Sequence, residues 1–269
     1  MNQELSAMLA DKFDIHPEAP PNAGHSFSAA SLTEPEGMKS FVEAFGPLIK
    51  AQDRKVTGAY FGGWFSALGS ALQLSLSLHR TAPDFGLDNV SIHLLLSGGY
   101  CRMAFSLNRW SGADCPVSAG SEGEEAWVIG RLNCFYNETV LPLFRAISAV
   151  SGLAEHQIWG QLPARLYMVM EHTRSEGLLP EQAARLQGDY RVLKERIGGE
   201  TFGRAGNPFN EPIRLIEDLA DPSRFIPMRN RCCMFYLTEG GSYCYTCPRL
   251  KEEERTSRRA AFRENACSR

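Results

Sequence analysis

The sequence predicts an α+β fold: a mainly helical N-terminal region with a β-hairpin insert, followed by a small C-terminal unit. Three observations carry this. Residues 56–79 contain no Lys, Arg, Asp or Glu and repeat apolar side chains at helical spacing. Two β-prone runs, 90–96 and 100–107, flank Ser97-Gly98-Gly99. Four of the eight cysteines fall between Cys232 and Cys247.

Taken in order, residues 1–14 read as a short amphipathic helix, and 15–30 as a loop rich in Pro, Gly and Ser. Thr33 before Glu34, Pro35 and Glu36 marks a helix start with a hydroxyl cap, and that helix runs to about Lys50. Within 56–79, Phe61, Phe65, Leu68, Leu72 and Leu76 recur at helical spacing. Leu72, Leu74, Leu76 and Leu78 also alternate as in a strand; the length of the stretch favours helix. Its four Gly and four Ser argue for a buried helix over a membrane span. Ser97-Gly98-Gly99 makes 90–107 a hairpin. Asn137-Glu138 opens a helix that Gly152 ends; further helices are expected over 154–174 and 180–197, the last closed by Gly198-Gly199. A loop follows over 199–212, and a basic helix over 250–265.

Composition excludes several classes. The chain has 269 residues, 43% hydrophobic and 22% charged, which suffices for a core without disulfide staples. A net charge of −3 and a pI near 6.1 argue against a general nucleic-acid binder. The opening residues, MNQELSAMLADKFD, lack the apolar core of a secretory signal, so a cytoplasmic location with reduced thiols is expected. Charge is uneven: residues 222–269 carry ten Lys/Arg against five Asp/Glu, net +5, and the remainder is net −8. That polarity suits either a solvated basic helix or docking of an acidic partner.

Cys232, Cys233, Cys244 and Cys247 form the pattern C-C-x10-C-x2-C. The Glu239-Gly240-Gly241-Ser242 turn predicts a hairpin that folds the first pair back on the second. Disulfides are unexpected in a reduced compartment. A zinc site of four cysteines would need both members of the Cys232-Cys233 pair to face one metal, which regular strand geometry forbids. An iron–sulfur cluster spreads its thiolates over more than one metal and tolerates unequal spacing. Spacing alone leaves iron–sulfur, zinc and unliganded thiols open. Cys101, Cys115, Cys134 and Cys267 are scattered and read as incidental thiols. Arg229, Arg231 and Arg249 flank the motif, where they could hold an anionic chelate, tune a cluster or simply meet solvent. Phe235, Tyr236, Tyr243 and Tyr245 read either as local packing or as an electron path.

C-C-x10-C-x2-C followed by Pro248 resembles the C-terminal 2Fe–2S motif of the siderophore-iron reductase family, FhuF type. Tyr60-Phe61-Gly62-Gly63 resembles its YFGG element, Ser151-Gly152-Leu153 with Ile158-Trp159-Gly160 its mid-chain SGL…LW stretch, and Gly206-Asn207-Pro208-Phe209 its GNP loop. The resemblance spans about residues 55–250. It implies that Cys232, Cys233, Cys244 and Cys247 ligate one 2Fe–2S cluster in a unit over 226–269, and that residues 1–225 bind the siderophore. It also implies cytoplasmic reduction of ferric siderophores, often hydroxamates. Hard oxygen ligands hold Fe(III) far better than Fe(II), so one electron frees the metal. No G-x-G-x-x-G follows a strand, so the electron donor is expected to be another redox protein, a ferredoxin or flavodoxin, or a small flavin carrier. The contrasting reading is a zinc-stabilised siderophore-binding or interaction protein without redox activity.

Overall fold

A computed structural model describes residues 1–116 and 120–267. The helices are Gln3–Phe13 (α1), Pro35–Leu48 (α2), Lys55–Leu74 (α3), Gly120–Cys134 (α4), Leu141–Ser151 (α5), Glu155–Trp159 (α6), Pro163–Ser175 (α7), Pro180–Glu195 (α8) and Glu252–Cys267 (α9). The strands are Ile15–His16 (β1), Ala23–Ser28 (β2), Thr81–Pro83 (β3), Val90–Ser97 (β4), Tyr100–Leu107 (β5), Gly112–Asp114 (β6), Leu215–Glu217 (β7) and Phe225–Pro227 (β8). The expected α+β class holds. Among the described residues no helix is long and apolar enough to cross a membrane.

The central helix α3 is nearly all buried, which is why it lacks charge. It extends through a π-helical turn, Ser75–His79, ended by Arg80 in the left-handed conformation. Phe61 and Phe65 stack at 5.1 Å and meet Phe41, Phe105 and Phe144 edge-on, tying α3 to α2, β5 and α5. The hairpin β4–β5 forms as expected, with Gly98 and Gly99 both at positive φ.

Several expectations need correction. Residues 15–30 are not all loop: β2 pairs with β4 and β1 with β5, giving a four-stranded sheet in the order β1-β5-β4-β2. Pairing to a strong hairpin overrides weak local preference there. Thr33 does not cap α2; its hydroxyl donates to the Ala30 carbonyl within a 3₁₀ turn, and Glu34 holds the cap position before Pro35. The helix expected to open at Asn137 instead begins with α4 and passes through a π-helical turn, Phe135–Val140, into α5. The run 154–174 is two helices, because Gly160 and Pro163 break it. The cysteine-bearing segment is not a hairpin: Phe235–Leu237 is a 3₁₀ turn, Thr238 makes an isolated bridge to Ala51, and 228–250 otherwise runs as turns and coil.

Candidate metal centre

Adjacent thiols can face the same way only where the backbone leaves extended geometry. Here Met234 adopts a left-handed conformation, φ 61°, and the chain turns at once into 3₁₀ geometry. Gly240 sits at φ 70°, and a Cβ on Gly241 would lie 1.9 Å from the Phe235 carbonyl oxygen. The Glu-Gly-Gly-Ser turn thus folds Cys244 and Cys247 back onto Cys232 and Cys233.

The four thiols gather as two pairs. The Sγ atoms of Cys233 and Cys244 are 4.0 Å apart, and those of Cys232 and Cys247 are 3.5 Å apart. Two thiolates on one tetrahedral metal, each about 2.3 Å from it, sit about 3.8 Å apart. Each pair is therefore spaced much as two ligands of one tetrahedral metal would be. Among the described residues no three or more His, Cys, Asp or Glu converge on a single metal position. The donor set fits two metals with two thiolates each. Backbone N–H groups of Met234 and Arg249 point at the Sγ atoms of Cys232 and Cys247, both at 3.4 Å. Such N–H donors stabilise thiolate charge around a cluster. The hydrogen bond from Cys233 holds Cys244 down at about 6, while the same bond, with burial, pushes Cys233 up.

Parts of three of the quoted motifs beyond the cysteines bear on this site. In Tyr60-Phe61-Gly62-Gly63, a Cβ on Gly62 would lie 2.8 Å from the Ile158 carbonyl oxygen, so α3 and α6 touch backbone to backbone. A Cβ on Gly63 would lie 3.1 Å from the Arg165 guanidinium, so this glycine makes room for an arginine. Trp159 is fully buried against Phe144 and Phe202, at 4.6 and 5.2 Å. Next to it, Gly160 leaves space for the Arg231 side chain, and the Gln161 amide donates to the Cys232 carbonyl at 3.2 Å. Asn207 donates to the Leu193 and Ile197 carbonyls at 2.6 and 3.0 Å and accepts from the Phe209 N–H. That clamp sets the chain that delivers Glu211 to Arg231, 2.9 Å away.

Two more ties hold the segment to the helical body. Gln52 N–H donates to the Leu237 carbonyl at 2.9 Å, and Glu239 N–H to the Lys50 carbonyl at 3.0 Å. From the other side, buried Arg255 of α9 donates to the carbonyls of Tyr245, Cys247 and Leu250. Arg255 carried no signal in the sequence, since an arginine in a basic helix reads as solvated.

The flanking arginines separate. Arg231 is paired with Glu211, and Arg249 lies over the rings of Tyr236 and Tyr243 at 5.1 and 5.6 Å. Arg229 has no side-chain partner among the described residues, and its Nε is buried. The aromatics separate too: Tyr245 donates to the Glu217 carbonyl at 2.6 Å, a packing role, while Phe235 is 40% exposed beside the cysteines. Cys101, Cys115 and Cys134 stand apart from the cluster of thiols. Cys101 is buried on β5, Cys115 accepts from Arg80 at 3.0 Å, and Cys134 donates to Glu138 at 3.4 Å. The Cys267 side chain lies outside the described residues.

An α+β body closing a turn-rich segment around two thiol pairs offers four ligands of the kind an iron–sulfur cluster needs. Residues 229–249 match the family model described as the FhuF 2Fe-2S C-terminal domain, and Cys232, Cys233, Cys244 and Cys247 fit its motif. The match supports a 2Fe–2S cluster as cofactor and a redox protein as the broad class. No curated protein matches the chain.

Proposed function

We propose that this protein is a ferric-siderophore reductase whose 2Fe–2S cluster is ligated by Cys232, Cys233, Cys244 and Cys247. The observation that carries the reading is the two-plus-two arrangement of thiols inside a matched 2Fe–2S motif. In this reading residues 226–269 hold the cluster and residues 1–225 hold most of the chelate site. The four cysteines would hold a cluster whose chemistry there would be to supply one electron to siderophore-bound Fe(III), giving Fe(II). The hard-ligand chelate then releases its metal, in the cytoplasm. The electron comes from a reduced redox protein such as a ferredoxin or flavodoxin. The protein's own residues fix the thiolates, donate N–H groups to sulfur and exclude water from buried Cys247.

The test is anaerobic purification with iron, sulfide and zinc analysis. Serine at any one of the four cysteines should lower iron and sulfide content or shift the visible absorption, whereas C101S, C115S and C134S should leave both unchanged. Colourless protein with stoichiometric zinc would reject the cluster in favour of a structural metal. If the cluster is present, stopped-flow reoxidation of reduced protein by ferric siderophores, with a ferrous trap, tests the reaction. Reoxidation no faster than by ferric citrate would reject siderophore reduction.

A further inference from the structure

Two cavities share a wall, and the smaller lies against the thiols. The smaller, about 320 Å³, opens onto Cys233 and Cys244 and is walled by Tyr60 and Trp64 of α3 and by Tyr100 at the tip of the hairpin. The larger, about 920 Å³, runs between α7 and β8, past Met168 and Phe225. Arg165 and Arg229 line both. A third cavity of about 640 Å³, past Asp84 and Arg109, touches no residue of the cysteine segment.

The shared wall is electrostatically unusual. Among the described residues neither Arg165 nor Arg229 makes an ion pair or side-chain hydrogen bond, and the Nε of each is buried without a partner. Two unneutralised guanidiniums close together in a half-buried site repel one another. Burial, then the neighbouring Arg229, lowers Arg165 to about 10. The smaller cavity is otherwise walled by aromatic rings and the two thiols, whereas the larger is mixed, with Glu171, His172 and Arg224 beside Met168 and Phe225. A site of paired guanidiniums and flat rings is built for an anion carrying flat rings.

We propose that these adjoining cavities together bind a net-anionic, catecholate-type ferric chelate, with one chelating arm turned into the smaller cavity toward Cys233 and Cys244. The body of the chelate lies in the α7–β8 groove. The division follows size: the larger cavity lies near the top of the range that holds a drug-sized ligand, about 300–1,000 Å³, and takes the body, while the smaller, at the foot of that range, takes a single arm. Arg165 and Arg229 select charge, and Tyr60, Trp64 and Tyr100 face the ring. This assignment rests on the reductase reading and narrows its substrate class from siderophores at large to anionic ones.

Gallium(III) chelates test it, because gallium copies the charge and shape of the ferric complex yet is not reduced. Binding of trianionic gallium tris-catecholate and of a neutral gallium trihydroxamate is measured on the cluster-loaded protein by calorimetry. The catecholate should bind at least about tenfold more tightly, as desolvated charge pairs at interfaces support. R165Q/R229Q should abolish the preference, R165K should retain part of it, and cluster absorption should persist in each variant. Equal affinity for the two chelates, or a preference unchanged in R165Q/R229Q, overturns the proposal. If the double variant loses its cluster, the preference of R165K and of Y100A relative to the native protein decides, and no change in either overturns it. The reductase reading stands or falls separately, on reoxidation by ferric chelates: selective gallium binding without reoxidation would leave a chelate-binding protein, and reoxidation without selectivity a reductase with another docking site.

Discussion

Glycines beside the thiols are the most informative single residues. Gly63 faces the flexible end of Arg165, so G63A should fold normally and keep its cluster while displacing the guanidinium by a few tenths of an ångström. Weaker chelate binding with unchanged cluster absorption is the expected outcome. Gly62 faces backbone, and G62A has nowhere to put its methyl; overpacking of this kind costs about 1–3 kcal/mol, readable as a lower urea midpoint. Gly160 is harsher for the site itself. A Cβ there would lie 2.2 Å from Arg231 Cγ, close to the main chain that carries Cys232, so G160A should lose iron as well as stability. In the sequence these glycines stood out only as parts of a resemblance. Which neighbour each one spares is a tertiary fact, and Arg165, in a helix of ordinary composition, gave no sign of facing the thiols.

Among the elements, α9 acts as a clasp. Arg255 satisfies three carbonyls around Cys247 while remaining 2% exposed. R255A leaves those buried acceptors without a donor and should release cluster iron even though no ligand has changed; R255K, a single point charge in place of a planar fork, should restore it only in part. Iron content after desalting measures both. The sheet makes a separate prediction. His93 on β4 is buried between Ser26 and Ser106, 2.8 Å from each hydroxyl, and burial, then His16, lowers its pKa below 6.5. The unfolded chain therefore binds the proton more readily. The stabilisation is complete above about pH 6.5 and is lost as pH falls through the lowered folded value. The melting temperature should drop between pH 7 and 5, with a smaller drop in H93Q. Elements with local punctuation were legible in advance: the hairpin through Gly98-Gly99, α5 through Gly152, α8 through Pro180 and Gly198. Elements that exist because of distant partners were not. β2 needs β4, and the cysteine segment resembles a hairpin in composition yet is bent out of strand geometry at Met234 and the 3₁₀ turn that follows it.

At the scale of the molecule, the charge polarity seen in the sequence is partly internal. Arg258, Arg259 and Arg263 pair with Glu254, Glu252 and Glu217, and Arg258 and Arg263 also donate to backbone carbonyls. Arg249 remains exposed over its tyrosines beside the thiols. On the reductase reading, this is where an acidic electron carrier would dock. Reduction by a low-potential carrier should be fast and slow with rising salt, whereas NADPH without flavin should reduce the cluster little. Rapid bleaching by NADPH alone would remove the need for a protein donor.

The ties that hold the cysteine segment also bear on engineering. A designer seeking a compact electron-transfer cassette would be tempted to lift out the twenty-one residues 229–249 and splice them into a foreign scaffold. Those residues contain every thiol of the motif but little of what shapes them. Their curvature is borrowed from the main chain at Lys50 and Gln52, from the Gln161 amide and from the Arg255 fork. A working transplant would have to copy those four outside contacts, drawn from three distant stretches of chain, before the motif itself was worth copying.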